Sequence, residues 1–129
     1  DGDERRAIDT IMTRLRSLVE ETGAGIILVS HLRRVDGNKG HENGIEVSLS
    51  HLRGSNSIGQ LSDCVIALER NQQSDDPEEA RTTRLRVLKS RYTGDVGLAA
   101  RVVYDADTGR LIELTDEDIE FDNSGNEAF

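Results

Sequence analysis

Tryptophan is absent from this 129-residue chain, proline and cysteine occur once each, and aromatic residues make up only 3%. A single cysteine excludes an internal disulfide, and together with His31, His41 and His51 it shows none of the spacings of a zinc site, so no metal is expected on protein ligands here. Cys64 sits inside an apolar run and is expected to be a small buried hydrophobe in a reducing, intracellular setting. No apolar run approaches the roughly 18 residues that cross a bilayer, and the charged N-terminus is unlike a secretory signal. The expectation is a cytoplasmic protein with no membrane partner. Also missing are a Gly-x-x-x-x-Gly-Lys-Ser/Thr loop and a clear aliphatic strand ending in an acid, so the chain holds no complete nucleotide site. With aromatics scarce, a core must come from aliphatic side chains. The runs Gly25-Ile26-Ile27-Leu28-Val29 and Cys64-Val65-Ile66-Ala67-Leu68 supply them.

What is abundant is charge, and its distribution matters more than its sum. The net charge of -9 argues by itself against a nucleic-acid partner. Yet Asp116, Glu117, Asp118, Glu120, Asp122 and Glu127 lie beyond Leu114 with no base among them, so the tail carries most of the excess and the body is near balance. Between Arg81 and Arg101 the bases Arg81, Arg84, Arg86, Lys89, Arg91 and Arg101 face the single acid Asp95. That stretch is a local basic strip. The length suits one domain, which we place at residues 1–114, followed by an acidic tail at 115–129 too poor in apolar residues to offset its ordering entropy.

From Glu4 to about Thr22, Ile8, Ile11, Met12, Leu15, Leu18 and Val19 recur at steps of three and four, which predicts an amphipathic helix that Asp3 caps and Gly23 ends. Ile26 to Ser30 and Cys64 to Glu69 are short and continuously apolar, the pattern of strands covered on both faces in a parallel sheet. A polar, glycine-bearing loop from Arg33 and a short helix around Ser50 to Leu61 separate them. The segment Asn71 to Glu79, with the only proline, reads as an exposed turn. Alternation from Thr83, with Leu85 and Val87 on one face and Arg84 and Arg86 on the other, then Leu98 to Tyr104 and Arg110 to Ile112 across the turn at Asp105 to Gly109, predicts antiparallel strands added to the parallel ones. The fold class is therefore α/β.

Ser30-His31 stands at the C-terminal tip of the first apolar run, the edge where open α/β sheets place ligands. A lone histidine there serves equally as a surface residue closing a strand. The loop from Arg33 to Gly44, with Arg34, Lys39 and several glycines, suits a sugar-phosphate backbone, although most such loops are solvated. Leu52-Arg53-Gly54-Ser55 is suited to holding one phosphate, or is a plain helix-start turn. Lys89 and Arg91, two apart at a strand end, are placed to reach outward to an anion, a pattern that in most sequences is only a solvated face.

Taken in order, Leu28-Val29-Ser30-His31-Leu32-Arg33, Leu52-Arg53-Gly54-Ser55, Gln60-Leu61-Ser62-Asp63, Ala67-Leu68-Glu69-Arg70-Asn71-Gln72-Gln73 and Leu88-Lys89-Ser90-Arg91-Tyr92-Thr93-Gly94-Asp95 resemble the DnaB-type replicative helicases. The likeness is strongest to the primase-helicases of short-tailed phages, with the mitochondrial Twinkle helicase more distant. It implies the C-terminal half of a RecA-like core that uses ATP or dTTP with Mg2+ in a hexameric ring, translocates on single-stranded DNA and unwinds duplex, the phosphate loop lying upstream. By this resemblance His31 senses the γ-phosphate and Gln60 relays nucleotide state. Arg91 reaches into the neighbouring subunit's nucleotide with Lys89 beside it, and Arg70 and Tyr104 pack against the base. Arg33, Arg34, Lys39, Arg53 and Gly54 fall on segments like the family's DNA-gripping channel loops. The acidic tail ending in Phe129 is similar to phage helicase tails that dock on a replicative polymerase. Another RecA-like ATPase such as a recombinase, and a non-catalytic polymerase-binding module, are the alternatives.

Overall fold

The structure, a computed structural model, describes residues 2–33, 44–52 and 56–115. A long helix α1 (Gly2–Thr22) leads to an extended stretch, a single 3-10 turn (Leu49–His51) and a short helix α2 (Ser57–Leu61). Strand β1 (Cys64–Arg70), helix α3 (Pro77–Arg81) and strands β2 (Thr82–Ser90), β3 (Gly97–Asp105) and β4 (Arg110–Glu113) follow. The four strands form one sheet in the order β1-β2-β3-β4, antiparallel at every pairing.

Helix α1 forms where the three-four spacing expects it. Met12 is its one buried residue, flanked by half-buried Ile8, Leu15 and Val19, and Gly23 closes it in the left-handed region (φ 71°) with its N–H on the Val19 carbonyl at 2.9 Å. Asp3 lies within the first turn of the helix and not ahead of it. The buried apolar residues are Met12 of α1 and Ile58 of α2, two helices that pack together, Val47, whose N–H is held by Glu69 of β1, and Ala67 of β1.

The apolar run at Ile26 to Ser30 departs from expectation. Among the described residues it belongs to no strand, and Ile27 and Val29 are 96% and 87% exposed. A strand is defined by the backbone groups of a neighbour, and without a ladder an extended segment has nothing to complete it. Parallel pairing is likewise not seen among the described residues. Strand β1, expected in the parallel part, pairs antiparallel with β2, from Cys64 opposite Ser90 to Arg70 opposite Thr83. Cys64 is exposed at the start of β1, not buried, because its apolar neighbours Ile66 and Leu68 are themselves open to solvent on the face that nothing described covers. The proline segment is more ordered than a turn. Asp76 accepts the Glu78 N–H at 3.0 Å and Pro77 occupies the first helical position, where its missing donor is not needed, so α3 starts there.

Strands β2 and β3 form where the sequence predicts them, with register shifts at Val65/Ile66 of β1 in the β1–β2 pairing and at Leu85/Arg86 in the β2–β3 pairing. The β3–β4 hairpin turns on Asp105, which accepts the Asp107 N–H at 3.0 Å and the Thr108 hydroxyl at 2.8 Å, and closes at Gly109 (φ 71°). These bonds to Thr108 and Asp107, against a smaller effect of burial, hold the Asp105 carboxyl below the usual range.

Candidate functional site

Three candidate residues, Gln60, Lys89 and Arg91, collect where the end of β2 meets the C-terminus of α2. The last carbonyls of a helix have no partner within it and carry partial negative charge, so they attract cations. Lys89, on β2, donates its Nζ to the carbonyls of Gly59 and Gln60 at 2.8 and 3.0 Å. Arg91 follows the last residue of the strand instead of lying on it, and its chain direction is fixed by its N–H on the Asp63 carbonyl at 2.8 Å. Its guanidinium then turns back toward α2. Nη2 donates to the Gln60 carbonyl at 2.9 Å and Nη1 to Asp63 Oδ1 at 2.9 Å, with 39% of the side chain still exposed. The Ser90 to Gly94 turn is closed by the Gly94 N–H on the Ser90 carbonyl at 2.8 Å, with Gly94 left-handed (φ 75°) and the Ser90 and Thr93 hydroxyls 2.9 Å apart.

Asp63 is the hub of this cluster. Arg16 of α1 donates Nη1 to both of its carboxylate oxygens, at 3.0 and 2.9 Å. The hydrogen bond from Arg16 is the main reason the Asp63 carboxyl lies below its ordinary range, with burial opposing and the positive charges of Arg16, Arg91 and Lys89 assisting. Arg16 is raised in turn by the same bond. Thus Gln60, Lys89 and Arg91, picked from the sequence, are brought together. Asp63 and Arg16 were not picked as site residues. Asp63 was quotable in the Gln60-to-Asp63 motif, but nothing in spacing joins it to a residue 47 positions away.

His31 lies elsewhere on the α1 side. It lines an open pocket of about 200 Å³ with Ile8, Ile11 and Met12 of α1, Leu28, and Ile58 of α2. The segment after it is fastened by the Arg33 N–H on the His51 carbonyl at 2.8 Å and by an isolated bridge between Leu32 and Leu52. Arg33 is exposed there, whereas Arg34, Lys39, Arg53 and Gly54 lie outside the described residues, as do residues 116–129 with Phe129. Arg70 ends β1, and Tyr104 is the next-to-last residue of β3 at the same end of the sheet. Arg70 pairs with Thr83, Thr83 pairs with Val102, and Tyr104 is two residues on, so both project from one face and both are exposed.

The basic strip proves to be largely consumed inside the chain. Glu69 of β1, only 2% exposed, accepts from Arg86 Nε at 2.9 Å, from Arg86 Nη2 at 3.3 Å and from the Val47 N–H at 2.6 Å, and Arg84 Nε stands 3.4 Å away. Arg84 Nη2 also donates to the Gly44 carbonyl at 2.7 Å. Burial alone would push Glu69 up, but the bonds from Arg86 and Val47 and the charges of Arg86 and Arg84 outweigh it and hold the carboxyl below its usual range. An acid in an apolar strand, facing two arginines two residues apart, was the available signal for this network.

Among the described residues, Lys89 and Arg91 stand as cations at the end of β2, and Arg70 and Tyr104 share one exposed sheet face. A family model described as the DnaB-like helicase C-terminal domain matches residues 1–112. The chain belongs to that family. Among relatives of this family, a DNA helicase/primase of Enterobacteria phage T3 is 44% identical over 111 residues, covering 86% of this chain. The chain spans 19% of that relative's length. Membership of the DnaB-like helicases favours neither a recombinase nor a non-catalytic module. It agrees with the mixed α/β architecture, and none of the described helices is long and apolar enough to cross a membrane.

Proposed function

We propose that this chain is the distal part of the motor domain of a cytoplasmic, ring-shaped replicative DNA helicase, powered by ATP or dTTP with Mg2+. The observation that carries the reading is the exposed Arg91, steadied at the end of β2 beside Lys89, in a chain of this family. Bound nucleotide and magnesium supply the phosphoryl group and part of its charge neutralisation. Arg91 presents a guanidinium to the phosphates held by the next subunit, where charge grows in the transition state, and the Lys89 ammonium keeps the α2 end in place behind it. Gln60, whose carbonyl meets both cations, links that point to the preceding chain. His31 senses the terminal phosphate within its own subunit, and Arg70 and Tyr104 flank the base. A closed ring follows, since each pocket then needs two chains, and likeness to the family makes that ring a hexamer.

Arg33, Arg34, Lys39, Arg53 and Gly54 hold single-stranded DNA through its phosphates, without reading bases. The extended run at Ile26 to Val29, open on the Ile27 and Val29 side, supports a RecA-like parallel sheet whose neighbouring strands come from sequence beyond this chain. Residues 1–114 form the motor part, and the acidic tail 115–129, ending in Phe129, docks on the basic surface of a replicative polymerase.

The test is Arg91→Ala in the longer helicase polypeptide. DNA-stimulated hydrolysis is expected to fall by at least about 10³, the scale seen for arginines donated between subunits, while nucleotide binding and ring assembly persist. Mixed with unaltered subunits, the variant is expected to poison the ring. Retained hydrolysis overturns the assignment.

A further inference from the structure

We propose that Asp63 is the positioning residue for Arg91, and that Arg16 sets how readily Arg91 leaves it. The inference rests on the reading of Arg91 given above, and it adds a rest position and a release device to it. Two guanidiniums share one carboxylate. Arg16 Nη1 takes both oxygens of Asp63, at 3.0 and 2.9 Å, while Arg91 has only Oδ1, shared with Arg16, at 2.9 Å, plus the Gln60 carbonyl. Arg16 is also the less exposed of the two, with 28% of its side chain open against 39% for Arg91.

The trio carries one surplus positive charge, and its more weakly held member is Arg91. Moving Arg91 onto an anion outside the chain leaves Arg16 and Asp63 as a neutral pair. No carboxylate is stranded by the exchange, which is the condition that makes release inexpensive. Without Arg16 the same movement would strip Asp63 of its ion-pair partner, so Arg91 would be held harder. Without Asp63 the two guanidiniums repel and Arg91 loses one of its two side-chain anchors, although its backbone bond to Asp63 is unaffected by an isosteric change. Helix α1 thereby acts on the chemistry at a point it does not touch, through one ion pair across 47 residues.

The hold and the chemistry are tested separately. In this chain, rotation about the Arg91 Nε–Cζ bond, followed by nitrogen-15 NMR, is expected to speed up in Asp63→Asn and to slow in Arg16→Gln. In the longer helicase polypeptide, both variants are expected to lower kcat for hydrolysis about tenfold, the equivalent of one charge-assisted hydrogen bond, with KM for nucleotide little changed. Asp63→Glu is expected to recover part of the loss, which a merely structural fault at this position would not allow. If Arg91→Ala abolishes hydrolysis but Asp63→Asn and Arg16→Gln both keep native kcat, the positioning role is wrong and the reading of Arg91 stands. If Arg91→Ala keeps hydrolysis, that reading fails, and the NMR arm still decides whether Asp63 and Arg16 govern the Arg91 side chain. Should Asp63→Asn not fold, Arg16→Gln decides, because it leaves both bonds of Arg91 in place: rotation and kcat unaltered there would overturn the proposal.

Discussion

Glu69 is a carboxylate enclosed by protein, and its stability depends on the two arginines of the facing strand. Removing one member of a buried ion pair strands the other, so Glu69→Ala is expected to destabilise the chain by about 3 kcal/mol in urea unfolding. A loss under about 1 kcal/mol would show that the network is not structural. Because the folded carboxyl lies below the ordinary range, its contribution is present above the unfolded value of about 4.3 and disappears as pH falls through the folded value. Acid titration followed by circular dichroism is expected to show a stability loss below about pH 4 that is smaller in Glu69→Gln, the remainder coming from Asp63 and Asp105, whose carboxyls are also held low. At Cys64 the contrast is with the sequence expectation. An exposed thiol at the start of β1 should react with Ellman's reagent in the folded chain about as fast as in urea, and strong protection would contradict the structure.

Single elements here hang on a few backbone positions. Gly44 has φ 78°, and a Cβ there would stand 2.8 Å from Asn71 Cβ and 3.2 Å from Arg84 Nη2. Gly44→Ala is therefore expected to destabilise by at least about 1 kcal/mol from the left-handed backbone alone, with further loss from the displaced Arg84 bond to the Gly44 carbonyl. Hydrogen exchange at the Val47 amide, which donates to Glu69, checks whether the segment detaches. Helix α3 is five residues long and cannot form on propensity, so its Asp76 cap matters more than its length. Asp76→Ala is expected to lose about 1 kcal/mol or to melt α3 locally, read from amide protection at Ala80.

Across the whole molecule, the sheet has its polar face covered and its apolar face open. Ala67 and Glu69 are buried, while Ile66 and Leu68, opposite Val87 and Leu85, are 56% and 66% exposed, and Tyr104 and Leu111 continue the same face at 59% and 68%. Exposed apolar surface of this kind binds hydrophobic dyes. The folded chain is expected to enhance ANS fluorescence, and Leu68→Asp to reduce it severalfold without unfolding. Equal dye binding by the variant would place the open surface elsewhere.

Local physics was legible in the residues themselves. The three-four spacing of α1, its glycine stop, the alternation of β2 and the Asp105 to Gly109 hairpin depend on neighbours within a few positions, and those neighbours are in view in any sequence. The likeness to DnaB-type helicases was legible too, because ordered motifs survive whatever surrounds them. What only the tertiary structure decided was which charges are already satisfied. Gln60, Lys89 and Arg91 could be named from the motifs, but not the Asp63 carboxylate that steadies one of them, nor Arg16 that shares it. Nor could the sequence tell that Arg84 and Arg86 are bound to a buried Glu69, or that the apolar run at Ile26 has no partner strand among the described residues. A strand's identity and a side chain's free charge are properties of what lies opposite in space, and that is settled by packing between residues far apart in the chain.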